Sequence, residues 1–290
     1  MYRGRRGALA LPIDATREPS AKPSMLDIEF AQLSDPGRVR EQNEDCLDAV
    51  VPKTGTLAES HGWLFVLADG VGGHADGEVA SRLAVESVCK GFRASREYEF
   101  HRSLLPKLLQ DANASVLDAA STTRKTGPAM ATTMVACAVR SDRAVVCHVG
   151  DSRCYLIRRG HAEVLTRDHT MANDQMRLGL LSKREAAESP MRHMLSRSLG
   201  SDLFVAVDVS EHQLTEGDVL MLCSDGLHGA VPEKDIELII SDNPDLSLAA
   251  KELVRLANQL DGSDNVSVQI VRVRNVERTG MYRGRPYKLS

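Results

Sequence analysis

Two apolar runs in this chain end the same way: Trp63-Leu-Phe-Val-Leu-Ala-Asp-Gly70 and Val219-Leu-Met-Leu-Cys-Ser-Asp-Gly226 both close on Asp-Gly. Each run reads as a buried strand. A carboxylate at the tip of such a strand is costly to desolvate unless something positive meets it. Gly150-Asp151-Ser152-Arg153 and Gly262-Ser263-Asp264-Asn265 have the same acidic character, and Asn43-Glu-Asp45 precedes them all. The short Asp side chain sets a hard anionic oxygen near the strand end. The glycine either turns the backbone with φ > 0 or brings its own carbonyl close to a ligand. One shared cation site explains the set. Oxygen donors in this number suit Mg²⁺ or Mn²⁺ rather than zinc, and the histidines show no zinc-binding spacing.

The background is that of an ordinary globular protein. The 290 residues are 42% apolar and 26% charged, enough for a sizeable core in one large domain. A net charge of −4 gives no reason to expect nucleic acid or an anionic membrane, and 4% aromatic content argues against a base-stacking platform. No apolar stretch approaches a membrane span. The cysteines, Cys46, Cys89, Cys137, Cys147, Cys154 and Cys223, form no C-x-x-C pair and mostly lie in apolar runs. That pattern fits reduced thiols and a cytoplasmic protein. The basic start to Pro12 is too short in its apolar part for a signal peptide.

Residues 1–24 contain Pro12, Pro19 and Pro23, show no periodicity and read as a flexible arm. The body reads as one domain over 25–273, followed by a basic tail over 274–290. Met1-Tyr-Arg-Gly-Arg5 recurs as Met281-Tyr-Arg-Gly-Arg285, too short for a repeat architecture, and a solvated tail is the plain reading. Strands are expected at Asp27–Leu33, Trp63–Ala68, Thr132–Val139, Ala144–Val149, Arg153–Ile157, Phe204–Val209, Val219–Cys223 and Val266–Val273. Ser141-Asp142 reads as a hairpin turn, so the sheets are expected to be antiparallel. Apolar stripes at helical spacing run through Val79, Leu83, Val88 and Phe92, through Leu104, Leu108, Ala112 and Val116, and through Leu246, Ala249, Leu253 and Leu256. Helices covering strand layers fit this order better than a strict βαβ alternation.

An acidic constellation of this kind can hold two divalent ions roughly 3.5–4 Å apart, which activates water and withdraws charge from a phosphoryl group. The phosphate oxygens then need a cation. Arg40, five residues before Asp45, can supply that fork.

At these residues the chain resembles the PPM (PP2C-type) metal-dependent serine/threonine protein phosphatases, over almost all of residues 26–273. The matching stretches stand in family order: Arg40-Glu-Gln-Asn-Glu-Asp45, Asp69-Gly-Val-Gly-Gly-His74, Ala131-Thr-Thr133, Val149-Gly-Asp-Ser-Arg153, Leu165-Thr-Arg-Asp-His169, Ser196-Arg-Ser-Leu-Gly200, Ser224-Asp-Gly226 and Asp264-Asn265. Any one is weak; the ordered set is specific, and it is similar to the bacterial branch. The resemblance implies an α+β fold, a four-layer αββα sandwich of two antiparallel sheets with the metals in a cleft at one sheet edge. It implies Asp69 bridging both metals, Gly70 offering its carbonyl, and Asp225 and Asp264 as ligands of the second metal. Glu44 and Asp45 match acids at or just outside the ligand shell. Asp151 matches a residue that, with the equivalent of Asp225, holds a third ion in bacterial members. Arg40 matches the phosphate-binding arginine, and residues 170–195 match the flap beside the cleft. Mn²⁺ or Mg²⁺ is the implied cofactor. Phosphorylated proteins are the implied substrates, a cognate Ser/Thr kinase is the implied opponent, and a monomer is expected.

The chain departs from the family pattern at three positions. Val71 stands where many eukaryotic members have a histidine proposed as general acid, and His74 is not its equivalent. The leaving group then takes its proton from a water on the metal. Ala131 and Ser198 replace a common Gly and Ala, which are packing changes. Plainer readings stand beside the functional ones. Each Asp-Gly alone is a turn. Arg153 is expected to be a buried ion-pair partner, and His169 to make a structural hydrogen bond. The flap cations Arg177, Lys183, Arg184, Arg192 and His193 form either a solvated face or a phosphoprotein-reading surface. The alternative function is a weakly active or inactive module on the same fold that binds a kinase or phosphoprotein.

Overall fold

The chain's apolar runs fold into two antiparallel sheets flanked by helices. The computed structural model describes residues 26–71, 75–123, 130–276, 279–282 and 285–288. In chain order the elements are β1 (Asp27–Asp35), β2 (Asp45–Val50), α1 (Gly55–Ser60), β3 (Trp63–Val71), α2 (Ala75–Arg93), α3 (His101–Thr123), β4 (Ala131–Thr132), β5 (Met134–Arg140), β6 (Arg143–Val149), β7 (Arg153–Arg158), β8 (His161–Val164), α4 (Met171–Arg177), α5 (Lys183–Glu188), β9 (Asp208–Gln213), β10 (Val219–Cys223), α6 (Asp225–His228), α7 (Glu233–Asp242), α8 (Leu246–Leu260), β11 (Val266–Asn275), β12 (Thr279–Tyr282) and β13 (Arg285–Lys288). One sheet has the order β1-β11-β10-β7-β8. The other has β2-β3-β5-β6-β9, with β4 paired to the end of β3.

Alternation along the strands assigns each side chain to a layer. On β3, Leu64, Val66 and Ala68 pack with Ala84, Val88 and Phe92 of α2 and Leu105 and Leu109 of α3. The intervening Phe65 and Leu67 meet Leu156, Leu220, Leu222 and Val271 of the opposite sheet. Met221 and Cys223 of β10, with Val268 and Ile270 of β11, turn outward to Ile236 of α7 and Leu253 and Ala257 of α8. The order is helix, sheet, sheet, helix, which is the expected αββα sandwich. Both faces of each central strand are covered, so Trp63–Ala68 and Val219–Cys223 are apolar throughout rather than alternating. Truncating Leu67, fully buried between the sheets, to Ala would cost about 2–5 kcal/mol.

The strand expected at Phe204–Val209 is displaced: β9 begins at Asp208, where pairing to β6 starts opposite His148. Side chains of α3 hold the preceding loop. Asn113 Nδ2 donates to the Asp202 carbonyl at 2.8 Å, the Gly200 amide donates to Asn113 Oδ1 at 2.8 Å, and Gln110 Nε2 donates to the Val205 carbonyl. Those carbonyls are unavailable to a ladder, and Phe204 is left 86% exposed. In the basic tail, β12 pairs antiparallel with β13, so its described part is a hairpin rather than a featureless extension. The N-terminal arm over 1–24, its copy of the Met-Tyr-Arg-Gly-Arg sequence, and His74 lie outside the described residues.

Candidate metal centre and phosphate site

The acidic residues converge because strand ends from both sheets meet at one edge of the sandwich. Asp45 opens β2 and lies directly opposite Asp69 of β3 in the ladder. Asp225 follows β10, Asp264 precedes β11, and Asp151 lies on the turn where the chain leaves β6 in one sheet for β7 in the other. Asp69 and Asp225 lie close enough for the charge of Asp225 to raise the Asp69 carboxyl. Arg40 reaches Asp264, with its Nη2 3.0 Å from Oδ2, and keeps 43% of its side-chain surface exposed at the rim. Asp69, Asp225, Asp264, Asp45, Asp151 and Arg40 are thereby brought together. Glu44 is buried, with its carboxylate against Gly77 in the first turn of α2.

Hydrogen bonds fix this edge. Asn265 Oδ1 accepts from the Glu44 amide at 2.8 Å, and its Nδ2 donates to the carbonyls of Pro36 and Gln42, each at 2.9 Å. That single side chain ties the Arg40–Asp45 loop to Asp264. The Asp69 peptide is held on both sides: Thr133 Oγ1 accepts from its amide at 3.0 Å and Thr132 Oγ1 donates to its carbonyl at 2.7 Å. Asp45 Oδ2 accepts from Ser224 Oγ at 2.9 Å. The sequence shows these Thr, Ser and Asn residues as parts of motifs but does not reveal which carboxylate each one holds.

Gly70 and Gly226 are not among the glycines with positive φ. They are needed for close approach instead: a Cβ on Gly70 would stand 2.3 Å from the Gly77 carbonyl, and one on Gly226 2.1 Å from that of Asn265. Of the two reasons offered for Asp-Gly, the turn with φ > 0 does not hold.

The electrostatics of the cluster call for a cation. Burial, reinforced by the charges of Asp225 and Asp264 and opposed by the Ser267 and Ser224 hydroxyls, raises Asp45 to about 7. Burial and the charges of Asp45, Asp225, Asp151 and Asp264 hold Asp69 well above the usual carboxylate range. Burial, then Asp225 and Asp168, raises Asp151 to about 8, and burial with Asp264 raises Asp225. Asp45 Oδ1 is buried and has no hydrogen-bond partner among the described residues. A buried, unpartnered anionic oxygen beside several other carboxylates fits a hard divalent cation.

The flap rises beside this edge. Its two stems are bridged at Thr170 and Leu195, and the Ser196 amide donates to the His169 carbonyl at 2.9 Å. From the flap, His193 Nδ1 comes within 4.0 Å of Asp225 Oδ2. Arg184 pairs with Glu188 at 3.0 Å and Arg177 lies 3.9 Å from Asp174, local neutralisation that favours the solvated-face reading for these two cations. His169 makes the expected structural bond, its Nδ1 accepting from the Gly150 amide at 3.2 Å. It stacks on His148 at 4.7 Å beside Asp208, a group with metal-ligand geometry. Asp208, however, is already paired with Arg167 at 2.8 Å and Arg197 at 2.9 Å, so this group braces the flap root. Arg153 is the expected ion-pair partner, but of Asp168, through bonds of 2.9 and 2.7 Å.

This architecture has well-characterised likenesses. The protein-family profile described as Protein phosphatase 2C matches residues 38–264. A serine/threonine phosphatase, stp, of Listeria innocua is 34% identical over 87% of this chain and 96% of its own length. A serine/threonine phosphatase structure from S. agalactiae superposes with a TM-score of 0.78 at 30% identity, covering 85% of this chain and 100% of that one. The catalytic domain of the serine/threonine protein phosphatase PstP, solved with two manganese ions, superposes with a TM-score of 0.71 at 28% identity, covering 86% and 99%. With the fold, the ordered motifs and the convergent acids all in agreement, the chain belongs to the protein phosphatase 2C family of metal-dependent serine/threonine phosphatases.

Proposed function

We propose that this protein hydrolyses phosphoserine and phosphothreonine in phosphoproteins by direct attack of water, with no phosphoenzyme, at a centre held by Asp69, Asp225 and Asp264 with Asp45, Glu44 and the Gly70 carbonyl. The carrying observation is the convergence of Asp45, Asp69, Asp151, Asp225 and Asp264 around a buried carboxylate oxygen that has no hydrogen-bond partner among the described residues. When bound, Mn²⁺ or Mg²⁺ ions supply the charge that makes water nucleophilic at neutral pH and offsets the phosphate's negative charge. The chain's own residues do the rest. Arg40, pivoting from Asp264 at the exposed rim, forks onto the phosphate oxygens. Thr132 and Thr133 hold the Asp69 peptide, and Ser224 orients Asp45. Val71, 38% exposed beside Gly70, has no proton to give, so the leaving oxygen takes its proton from water, which a bound metal ion would make a better acid, as the sequence reading expects. Asp151 with Asp225 offers a place for a third ion.

The finer parts of this reading rest on the resemblance to the bacterial branch: a cognate Ser/Thr kinase as opponent, a monomeric enzyme, and a catalytic domain over 25–273 between an arm at 1–24 and a tail at 274–290. Cytoplasmic placement is supported by the six free cysteines. Among the described residues no helix is long and apolar enough to cross a membrane.

The test is hydrolysis of p-nitrophenyl phosphate and a phosphothreonine peptide with Mn²⁺, with Mg²⁺ and with EDTA, beside Asp225→Asn. Metal-dependent turnover that the variant loses while keeping its fold is the expected result. No turnover from folded, metal-loaded wild type would move the reading to a binding module.

A further inference from the structure

Asp151 and Asp225 reach the acidic edge from different segments, and one side chain joins them. The Asp151 carbonyl accepts from His228 Nε2 at 2.9 Å. His228 is the last residue of α6, the one-turn helix whose first residue is Asp225. Residues three apart on a helical turn share a face, so His228 and Asp225 address the same loop. The residues on either side of Asp151 are secured separately. Gly150 exchanges bonds with His169, and Ser152 Oγ lies 2.7 Å from Thr133 Oγ1. His228 therefore holds the peptide of Asp151 itself. Desolvation lowers His228 to about 4, leaving a neutral imidazole whose Nε2–H faces a carbonyl oxygen.

The His228 bond ties the helical turn that carries Asp225 directly to the peptide that carries Asp151, so this one contact links the two carboxylate-bearing segments. Two mutually repelling carboxylates on separate segments drift apart unless the backbone is pinned. We propose that His228 is a positioning residue that fixes the separation of Asp151 and Asp225 and so sets the affinity for the cation held between them. This rests on the metal-centre reading above. Partners that orient ligand-bearing groups in this way typically contribute about 10–100-fold to metal affinity. The loss is confined to the site that uses Asp151. Sites built on Asp69, Asp45 and Asp264 keep their affinity, because their supports are Thr132, Thr133, Ser224 and Asn265.

The experiment is calorimetric titration of the full chain with Mn²⁺ after EDTA treatment and dialysis, comparing wild type, His228→Gln and His228→Asn. The Gln amide nitrogen can occupy the place of Nε2. The Asn amide reaches only as far as Nδ1 and falls short of the carbonyl. His228→Gln is expected to bind as wild type does. His228→Asn should lose about 10–100-fold at one site while the others keep their affinity, with a urea midpoint close to that of His228→Gln. Wild-type binding by His228→Asn, or equal loss in both variants, overturns the proposal. If His228→Asn does not fold, His228→Met, which fills the space without a donor, must show the same selective loss. If neither folds while His228→Gln does, the residue is structural and the proposal is also overturned. Wild type that binds no Mn²⁺ sinks the metal-centre reading instead, which keeps the two failures apart.

Discussion

Asn265 is where stability and the metal edge can be separated by one substitution. Its side chain is 5% exposed and makes the three loop bonds described above, two of them donated by Nδ2 to the Pro36 and Gln42 carbonyls at 2.9 Å. Asn265→Asp keeps the shape but replaces the NH₂ donor by an oxygen. Two hydrogen bonds become acceptor–acceptor contacts, and a further carboxylate joins an already acidic edge. Pro36 and Gln42 are exposed residues whose bonds to Asn265 are part-buried, so each lost bond costs about 0.5–1.5 kcal/mol and the added carboxylate about another 1 kcal/mol, about 2–4 kcal/mol in all. Asn265→Ala also gives up the acceptor for the Glu44 amide, but it adds no repulsion and leaves room for water, and should cost about 1–3 kcal/mol. For a domain of this size those losses lower Tm by on the order of 10 °C. Urea unfolding in EDTA at pH 7 measures the fold alone, and Mn²⁺ titration of the folded variants then measures the edge. The expected order of destabilisation is Asn265→Asp above Asn265→Ala above wild type. The gap between the variants should narrow at pH 5, where the new carboxyl protonates. An Asn265→Asp protein as stable as wild type at pH 7 would refute the claim that this amide clamps the Arg40–Asp45 loop.

Three further outcomes follow from the same geometry. Ser224 is fully buried, donates to Asp45 Oδ2 at 2.9 Å and accepts from the Ser267 amide at 3.0 Å, so Ser224→Ala should cost about 1–3 kcal/mol and weaken Mn²⁺ binding about tenfold; unchanged isotherms would dissociate Asp45 from the centre. In EDTA, Asp45 and Asp151, raised to about 7 and about 8 from 3.8, hold protons that the unfolded chain has already released, so Tm should fall as pH rises from 5 to 8 and Mn²⁺ should flatten that fall; a flat profile without metal would contradict the clustering. Arg153→Met should cost about 3 kcal/mol by stranding Asp168, and the double variant Arg153→Met with Asp168→Leu should recover part of it in chemical denaturation; a double variant no better than the single would show that the Arg153 side chain is needed for packing rather than for the charge pair.

What could be read from the sequence divides along physical lines. Strands buried on both faces, such as Trp63–Ala68 and Val219–Cys223, announce themselves as unbroken apolar runs; the structure matches the second and carries the first three residues further, to Val71. The amphipathic stripes of α2, α3 and α8 were equally plain. The edge strands β2 and β8 were not: β2 begins with Asp45 and includes Asp48, and β8 is His-Ala-Glu-Val, so neither carries a strong apolar pattern. Their pairing is decided by neighbours the sequence does not display. The strand expected at Phe204 failed for a related reason, since Gln110 and Asn113, distant in sequence, take the carbonyls it would have used. The helix α5 carries a local signal instead: Ser182 and Glu185 form a capping box, with the Ser182 amide donating to Glu185 at 2.8 Å.

The acidic centre was more legible than the elements that build it, and the reason is energetic. A carboxylate at the end of a buried strand needs a compensating charge, and that need is visible in the residue itself wherever the partner lies. The groups that hold those carboxylates leave no such mark. Ser224, Thr133, Asn265 and His228 are common residues whose roles come from the way the sheets and their connecting turns meet, with partners separated by as many as 229 residues for Pro36 and Asn265. Because Asp45 and Asp69 lie in one sheet, while Asp225 follows and Asp264 precedes strands of the other, a cation bound among them would join the two sheets at their edge. Without it, the same carboxylates push the sheets apart at that edge, against Asn265 and Ser224. Metal affinity and the stability of this edge are therefore one coupled quantity, and a residue that fixes the carboxylates contributes to both without touching substrate.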